Sequence, residues 1–252
     1  MISKVYQKLY GKEVFSLRDV EKIIKNYQVA KNTVYKLIKQ GYVRRIKKGL
    51  YYSIPLEFFG RNYIPDRFVI GSALTQPYFF SHHSSLELHG VAYSSFNTVF
   101  ISTPNPFKTF EYQGIIYRCV YVKECFGITK IIRSNQTVYV SDKERTILEA
   151  IEKLDYVGGI EEMIKSIDMF PFINYDRLYE YLLKFNKKAL FHKTGYVLSI
   201  FKEKWNLPED FFEKLKTNLS KRVYYLDKKN GKFVKEWNLM VPKNIKKVIK
   251  IE

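Results

Sequence analysis

Cysteine is nearly absent: Cys119 and Cys125 are the only two in 252 residues. That excludes a disulfide-rich scaffold and a four-thiolate zinc site, and it casts both thiols as small hydrophobes. Long apolar runs are missing too. The stretch MISKVYQKLYGKEVF lacks the apolar core of a signal peptide, and no segment approaches the roughly 20 apolar residues that span a bilayer. Neither a G-x-x-x-x-G-K-[ST] loop nor a G-x-G-x-x-G fingerprint occurs. The expectation is a soluble, cytoplasmic protein with no cofactor and no membrane partner.

Acidic residues are also scarce, 25 Asp and Glu against 43 Lys and Arg, for a formal charge of +18. The imbalance is localised. Residues 1–53 carry 13 basic and 3 acidic side chains, residues 54–182 carry 12 and 15, and residues 183–252 carry 18 and 7. A basic–acidic–basic partition points to a compact module that meets a polyanion, followed by a separate body. With 46% hydrophobic and 17% aromatic residues, the chain has enough apolar material for a real core.

The N-terminal region has the pattern of a winged helix-turn-helix. Ile2, Val5, Tyr6 and Leu9 fall at helical spacing opposite Lys4, Lys8 and Lys12, and Gly11 ends the run. Ser16 is placed to cap a second helix, LRDVEKII, with Asp19 three positions on as a capping-box partner. After a break at 26–28, a third helix is predicted from about Lys31 to Lys39, closed by Gly41. Tyr42–Ile46, a Lys47-Lys48-Gly49 turn and Leu50–Ser53 then read as a hairpin.

In such a fold the third helix enters the major groove and the hairpin, or wing, lies along the backbone or minor groove. The predicted contacts are Lys31, Asn32, Thr33, Tyr35, Lys36 and Lys39 on the helix, and Arg44, Arg45, Lys47 and Lys48 on the wing. Asparagine can pair bidentately with adenine and threonine can touch a thymine methyl, while long lysines grip phosphates. Strand alternation puts Arg44 and Ile46 on one side and Val43 and Arg45 on the other, so not all four cations need face DNA. A winged helix used only for protein contacts is the alternative.

Pro55 and Gly60-Arg61-Asn62 punctuate the chain, giving predicted domains at 1–55 and 61–252. The body is predicted as α+β. Asp66 caps a first helix, Tyr78–Phe80 is a short strand, and Ser81 or Ser84 opens a helix stopped by Gly90. Strands follow at 97–103, 114–122, 129–133 and 137–141. Helices follow at 143–154, 159–167, 175–185, 187–204 and 208–219. Val223–Leu226 and Phe233-Val234, joined through Asn230-Gly231, read as a closing hairpin.

Chemistry is hard to find in this body. His82, His83 and His89 lie within eight residues and invite a metal, the basis of an alternative reading as a nucleic-acid-modifying metalloenzyme. No carboxylate or cysteine stands at the usual ligand spacing, and Glu87 is placed elsewhere on the helix. Ser84 and Ser85 lack the strained turn and oriented base of a serine nucleophile. Gly71-Ser72 is similar to the opening of nucleotidyltransferase active sites, yet no acid follows until Glu87, and the metal-binding carboxylate pair is missing. A non-enzymatic body is the expectation.

Four segments together, KLIKQGYVRRIKKGLYY, SSLELHG, SDKERTILEAI and KTGYVLSIF, resemble the AbiEi-type family of antitoxins and transcriptional autoregulators. Gly41, Gly49 and Tyr51 match its helix-end and wing pattern. Ser84, Leu86, Leu88, His89 and Gly90 match a Ser-Ala-Leu-x-Leu-His-Gly element, with Ser85 in place of alanine. Glu144, Arg145, Thr146 and Leu148 match a Glu-Arg/Lys-Thr-x-Leu element, with Glu149 where aspartate is frequent. Gly195 and Tyr196 match a Gly-Tyr helix.

The resemblance implies an N-terminal domain that binds inverted repeats in double-stranded promoter DNA. It also implies a distantly nucleotidyltransferase-like body that counters a nucleotidyltransferase toxin in a type IV toxin–antitoxin or abortive-infection system. A DNA-binding regulator with no toxin partner is the remaining alternative. The oligomeric state is left open by the sequence.

Overall fold

Val5, Tyr6 and Leu9 close the apolar face of α1 (Ile2–Tyr10), as their spacing predicts. The computed structural model describes residues 2–10, 12–227, 231–243 and 245. The side chains of Ile2 and Lys4, and Gly11, lie outside the described residues. β1 (Val14–Ser16) leads into α2 (Leu17–Ile24), where the Ser16 hydroxyl accepts from the Asp19 N–H and the Asp19 carboxylate accepts from the Ser16 N–H. This reciprocal pair satisfies two backbone donors that a helix N-terminus leaves open.

α3 (Tyr27–Lys39) begins one turn before the predicted start. The Asn26 side chain accepts from the Val29 N–H at 2.9 Å, so the polar break at 26–28 is a cap and first turn. β2 (Val43–Lys47) and β3 (Leu50–Ser53) form the wing, with Gly49 at φ +81° in its turn. The small sheet has the order β1-β3-β2, which leaves β2 on the edge. Three helices around Phe15, Val20, Ala30, Val34 and Leu37, with this sheet, have the topology of a winged helix.

The body follows as α4 (Arg67–Ser72), β4 (Phe79–Phe80), α5 (His83–Leu88), β5 (Thr98–Thr103), β6 (Phe110–Tyr112), β7 (Ile115–Tyr121), β8 (Ile128–Arg133) and β9 (Gln136–Ser141). Asp66 caps α4 by accepting from the Phe68 N–H at 2.8 Å. The strands build a mixed sheet in the order β6-β7-β5-β4-β9-β8. β6 escapes the sequence pattern because it is three residues long. It is returned to β7 by a Gln113-Gly114 turn in which both residues have positive φ. Neither serine opens α5. Its N-cap is His82 at φ +54°, and Ser84 instead accepts from the Phe100 N–H.

α6 (Lys143–Glu152), α7 (Ile160–Asp168), α8 (Tyr175–Phe185), α9 (Lys188–Ile200) and α10 (Glu209–Lys216) complete the α+β body. Their apolar stripes meet in one cluster around Leu148, Ile151, Met163, Leu182, Leu198 and Phe211. α9 ends four residues short of its predicted limit, where Trp205 folds back and its Nε1–H donates to the Phe170 carbonyl at 3.1 Å.

The predicted closing hairpin does not form. β10 (Tyr224–Tyr225) and β11 (Gly231–Val234) do not pair with each other, and both flank β12 (Leu239–Pro242), the first in parallel and the second antiparallel. Lys228–Asn230, which carry most of the turn signal, lie outside the described residues. No helix among the described residues is long and apolar enough to cross a membrane.

Apolar packing crosses the expected boundary at 55–61. Ile46, Leu50, Tyr52 and Ile54 share a cluster with Phe68, Ile70, Phe80, Val99 and Tyr117. At the far end of the body, Gly195 on α9 lies directly against the buried Trp237 indole, and a Cβ at 195 would stand 2.0 Å from Cζ3. Gly195→Ala is therefore expected to lower stability by about 1–3 kcal/mol through overpacking. Chemical denaturation read by tryptophan fluorescence measures it. An unchanged midpoint would contradict this packing.

Candidate nucleic-acid interface

The outward face of α3 carries Tyr27, Gln28, Lys31, Asn32, Tyr35, Lys36 and Lys39. Gln28 Nε2 donates to Asn32 Oδ1 at 3.3 Å, and Lys39 Nζ stands 4.9 Å above the Tyr35 ring. Thr33 is not on this face. It is buried with Ala30, Val34 and Leu37, because the helical phase turns position 33 inward, so its predicted thymine contact is lost. Tyr27 and Gln28 are additions that the late predicted helix start concealed. Asn26, a strong capping residue three positions before Val29, was the signal that marks them.

The wing corrects a second expectation. The β2–β3 register shifts between Arg45 and Lys47, so a bulge interrupts the alternation. Val43 and Ile46 are both buried, and Arg44 and Arg45 are both exposed on the edge strand. Arg44 Nη1 donates to Asn62 Oδ1 at 3.0 Å. Among the described residues, Lys31, Lys36, Lys39, Arg44, Arg45 and Lys48 have no carboxylate within 4.0 Å. Their field reaches solvent uncancelled by local ion pairs.

Lys47 behaves differently from its neighbours. Its Nζ sits 4.5 Å from the Phe110 ring centre and 5.4 Å from that of Phe107, and burial lowers its pKa below the ordinary 10.5. The side chain is spent on the body, so its predicted role as a free phosphate contact is corrected. At the other end of the wing, the Tyr52 hydroxyl donates to the Tyr63 carbonyl at 3.0 Å and lies 3.5 Å from that of Tyr112.

The body motifs meet inside the protein. Arg145 is buried between the rings of Phe79 and Phe126, each 4.2 Å from its guanidinium carbon. Its Nε–H donates to Glu149 Oε1 at 2.7 Å, and its Nη1 donates to the Phe126 carbonyl. Glu149 Oε2 accepts from the Ser141 hydroxyl at 2.7 Å and from the His82 N–H at 3.3 Å. Thr146 Oγ1 donates to the Ser141 carbonyl, and Glu144 Oε1 accepts from the Asn174 N–H at 2.8 Å.

The Ser84-Ser85-Leu86-Glu87-Leu88-His89-Gly90 element is a helix with a specified end. Gly90 at φ +72° donates to Glu87, and Val91 donates to Leu86, a Schellman closure. Leu86 is buried in the helical core. Tyr196 is half-buried beside Gly195, on a helix whose His192 Nδ1–H donates to the Trp237 carbonyl at 2.7 Å while Nε2 accepts from the Ser220 N–H. The first two motifs thus share one network, and the third joins α9 to the C-terminal sheet.

The three clustered histidines diverge. His82 Nδ1 lies 2.9 Å from Ser81 Oγ, and burial pushes its pKa down to about 4. His83 stacks on Phe96 at 3.6 Å and bridges Glu87 Oε1 at 2.9 Å and Glu162 Oε1 at 3.3 Å. Glu87, expected to point elsewhere, is therefore the i+4 partner of His83. His89 Nε2–H donates to the Ser141 carbonyl at 2.7 Å. Glu162 also accepts from the N–H groups of Tyr93 and Ser94 and from the Ser94 hydroxyl. Burial raises the Glu162 pKa, but these hydrogen bonds and His83 outweigh it and hold the group below the usual carboxylate value. Among the described residues, no group of three or more His, Cys, Asp and Glu side chains is arranged to hold a metal ion.

No protein-family model matches the chain, and no curated protein matches its sequence. A solved structure does match. The crystal structure of the RV2827C protein from Mycobacterium tuberculosis superposes with a TM-score of 0.62, covering 95% of this chain and 90% of that one. The fold is shared. At 13% sequence identity the likeness to RV2827C concerns the fold alone.

Two measurements test the buried network. Glu149→Ala strands the Arg145 cation and is expected to cost about 3–5 kcal/mol, read as a lowered denaturation midpoint. A cost below 1 kcal/mol would show that the pair is not closed off from water. His82 has a folded pKa of about 4, below its ordinary 6.5. Its contribution is thus fully present above pH 6.5 and is lost as pH falls through 6.5 towards 4, by about 3 kcal/mol in all. His82→Gln should flatten that part of the stability–pH curve, and an unaltered slope would contradict the assignment.

Proposed function

We infer that this chain is a sequence-specific double-stranded DNA-binding transcriptional repressor. The observation that carries the reading is the unpaired cationic and aromatic face of α3 beside the exposed Arg44 and Arg45 of the edge strand. Lys31, Lys36, Lys39, Lys48 and the two arginines supply the phosphate contacts. Gln28 and Asn32, at the N-terminal half of α3, are placed to read base edges. Inverted repeats in the chain's own promoter are the expected target.

The body acts as a protein-interaction module in this reading, without catalysis, and the chain serves as the antitoxin to a nucleotidyltransferase toxin. The AbiEi-like motif string supports that role. The residues of that string serve packing here: Arg145, with the neighbouring Glu149, closes a buried network, and Gly195 makes room for Trp237. The separate partners taken by His82, His83 and His89 weigh against a histidine-based metal site.

Fluorescence anisotropy on a duplex from the chain's own upstream region tests DNA binding. Affinity should fall steeply with salt, and Lys36→Ala with Arg44→Ala should weaken it and reduce the log–log salt slope by about 2. Binding that is flat with salt, or unchanged in the double variant, would refute the reading. The antitoxin role is tested by co-expression with any nucleotidyltransferase encoded beside it, where rescue of growth is the expected result and continued toxicity the contrary one.

A further inference from the structure

Two contacts fix how the wing lies against the body. At the tip, Lys47 Nζ covers the Phe110 ring at 4.5 Å, and Lys47 pairs with Leu50 across the hairpin. At the base, the Tyr112 hydroxyl meets that of Tyr52. Leu50 to Tyr52 and Phe110 to Tyr112 are equal spans of extended chain, about 7 Å each. The two contacts therefore set the β6 segment against the wing, with Phe110 towards the tip and Tyr112 towards the base.

Moving backwards from Phe110 leads to the tip of the wing. There Phe107 supplies the second ring beneath Lys47, at 5.4 Å. Both rings are turned towards the wing, while Lys108 and Thr109 between them are exposed. Lys108 has no carboxylate within 4.0 Å among the described residues. Lys108 follows Phe107 directly and Lys48 follows Lys47, so the two cations are carried on segments that meet through the Lys47–Phe107 contact, although they are 60 positions apart and one belongs to a body region of net negative charge.

We propose that residues 107–110 of the body complete the wing, so that the DNA interface is shared between the module and the body, with Lys108 as a contact to the phosphate backbone. The inference rests on the DNA-binding reading above. Lys47 is its positioning residue: its ammonium holds the 107–110 segment against the tip. A duplex carries one phosphate charge per about 1.7 Å of its axis. A docked wing therefore has phosphates within a side chain's length of any cation carried next to its tip. The arrangement also couples the body mechanically to the DNA-bound wing, because the segment that touches phosphate leads directly into β6.

The test is anisotropy with the full chain on its own upstream duplex, repeated from 50 to about 300 mM salt. Lys108→Ala is expected to weaken binding about three- to tenfold and to reduce the salt slope by about 0.9. Lys108→Glu should weaken it further. Phe110→Ala should weaken binding with the slope unchanged, because it frees the segment without removing a charge. Lys130→Ala, on β8 at the opposite edge of the sheet, should bind as the wild type. Wild-type affinity and slope in both Lys108 variants would overturn this proposal while leaving the DNA-binding reading intact. A wild-type chain that binds no duplex would overturn that reading and this one with it. If Phe110→Ala does not fold, the two Lys108 variants decide the matter alone.

Discussion

The Glu149 carboxylate is the point on which the body converges. One oxygen takes the Arg145 Nε–H from the same helix, and the other takes the Ser141 hydroxyl at the end of β9 and the His82 N–H at the start of α5. Helix, sheet and a strained helix entry are thereby fixed to a single group. A buried ion pair gains little over an apolar substitute, since both charges forfeit hydration. Its value here lies in geometry: only one arrangement of the three elements satisfies every oxygen, and His82 is held at a φ of +54° by it.

A second constraint joins the N-terminal winged helix to the rest of the chain. The wing is covered on one side by Phe107, Phe110 and Tyr112, and its inner residues Ile46, Leu50 and Tyr52 lie in the same cluster as Phe68 and Tyr117. A wing free on both sides would sample many angles and pay for them on binding. This wing is presented at one angle, set by the sheet behind it. The charge partition of the sequence describes two regions, whereas the apolar packing makes them continuous.

Features that depend on near neighbours were legible in the sequence. Ser16 and Asp19 declare a capping box because both partners lie within one turn, and Asp66 declares the start of α4 in the same way. The errors arise where phase or distance matters. Placing the start of α3 at Lys31 concealed Tyr27 and Gln28, and a linear reading of its face admitted Thr33, which the true phase buries. Strict alternation failed at Arg45 because a bulge adds a residue to one strand without altering composition. Lys47 looked like its cationic neighbours, and only the distant Phe107 and Phe110 reveal its different use. The histidine group was similarly opaque: Glu162, which holds His83, lies 79 positions away.

The C-terminal sheet has a consequence for the order in which the protein can be finished. Its central strand, β12, follows both of its neighbours in the chain, so Tyr224–Tyr225 and Gly231–Val234 emerge from the ribosome with nothing to pair with. The same short stretch brings Trp237 to cover Gly195 and Leu239 to close the helical core. Until residues 237–242 have emerged and docked, α9 presents an open apolar trench to solvent. The nascent body is thus exposed to wrong partners longest at the place where residues 237–242 must fit.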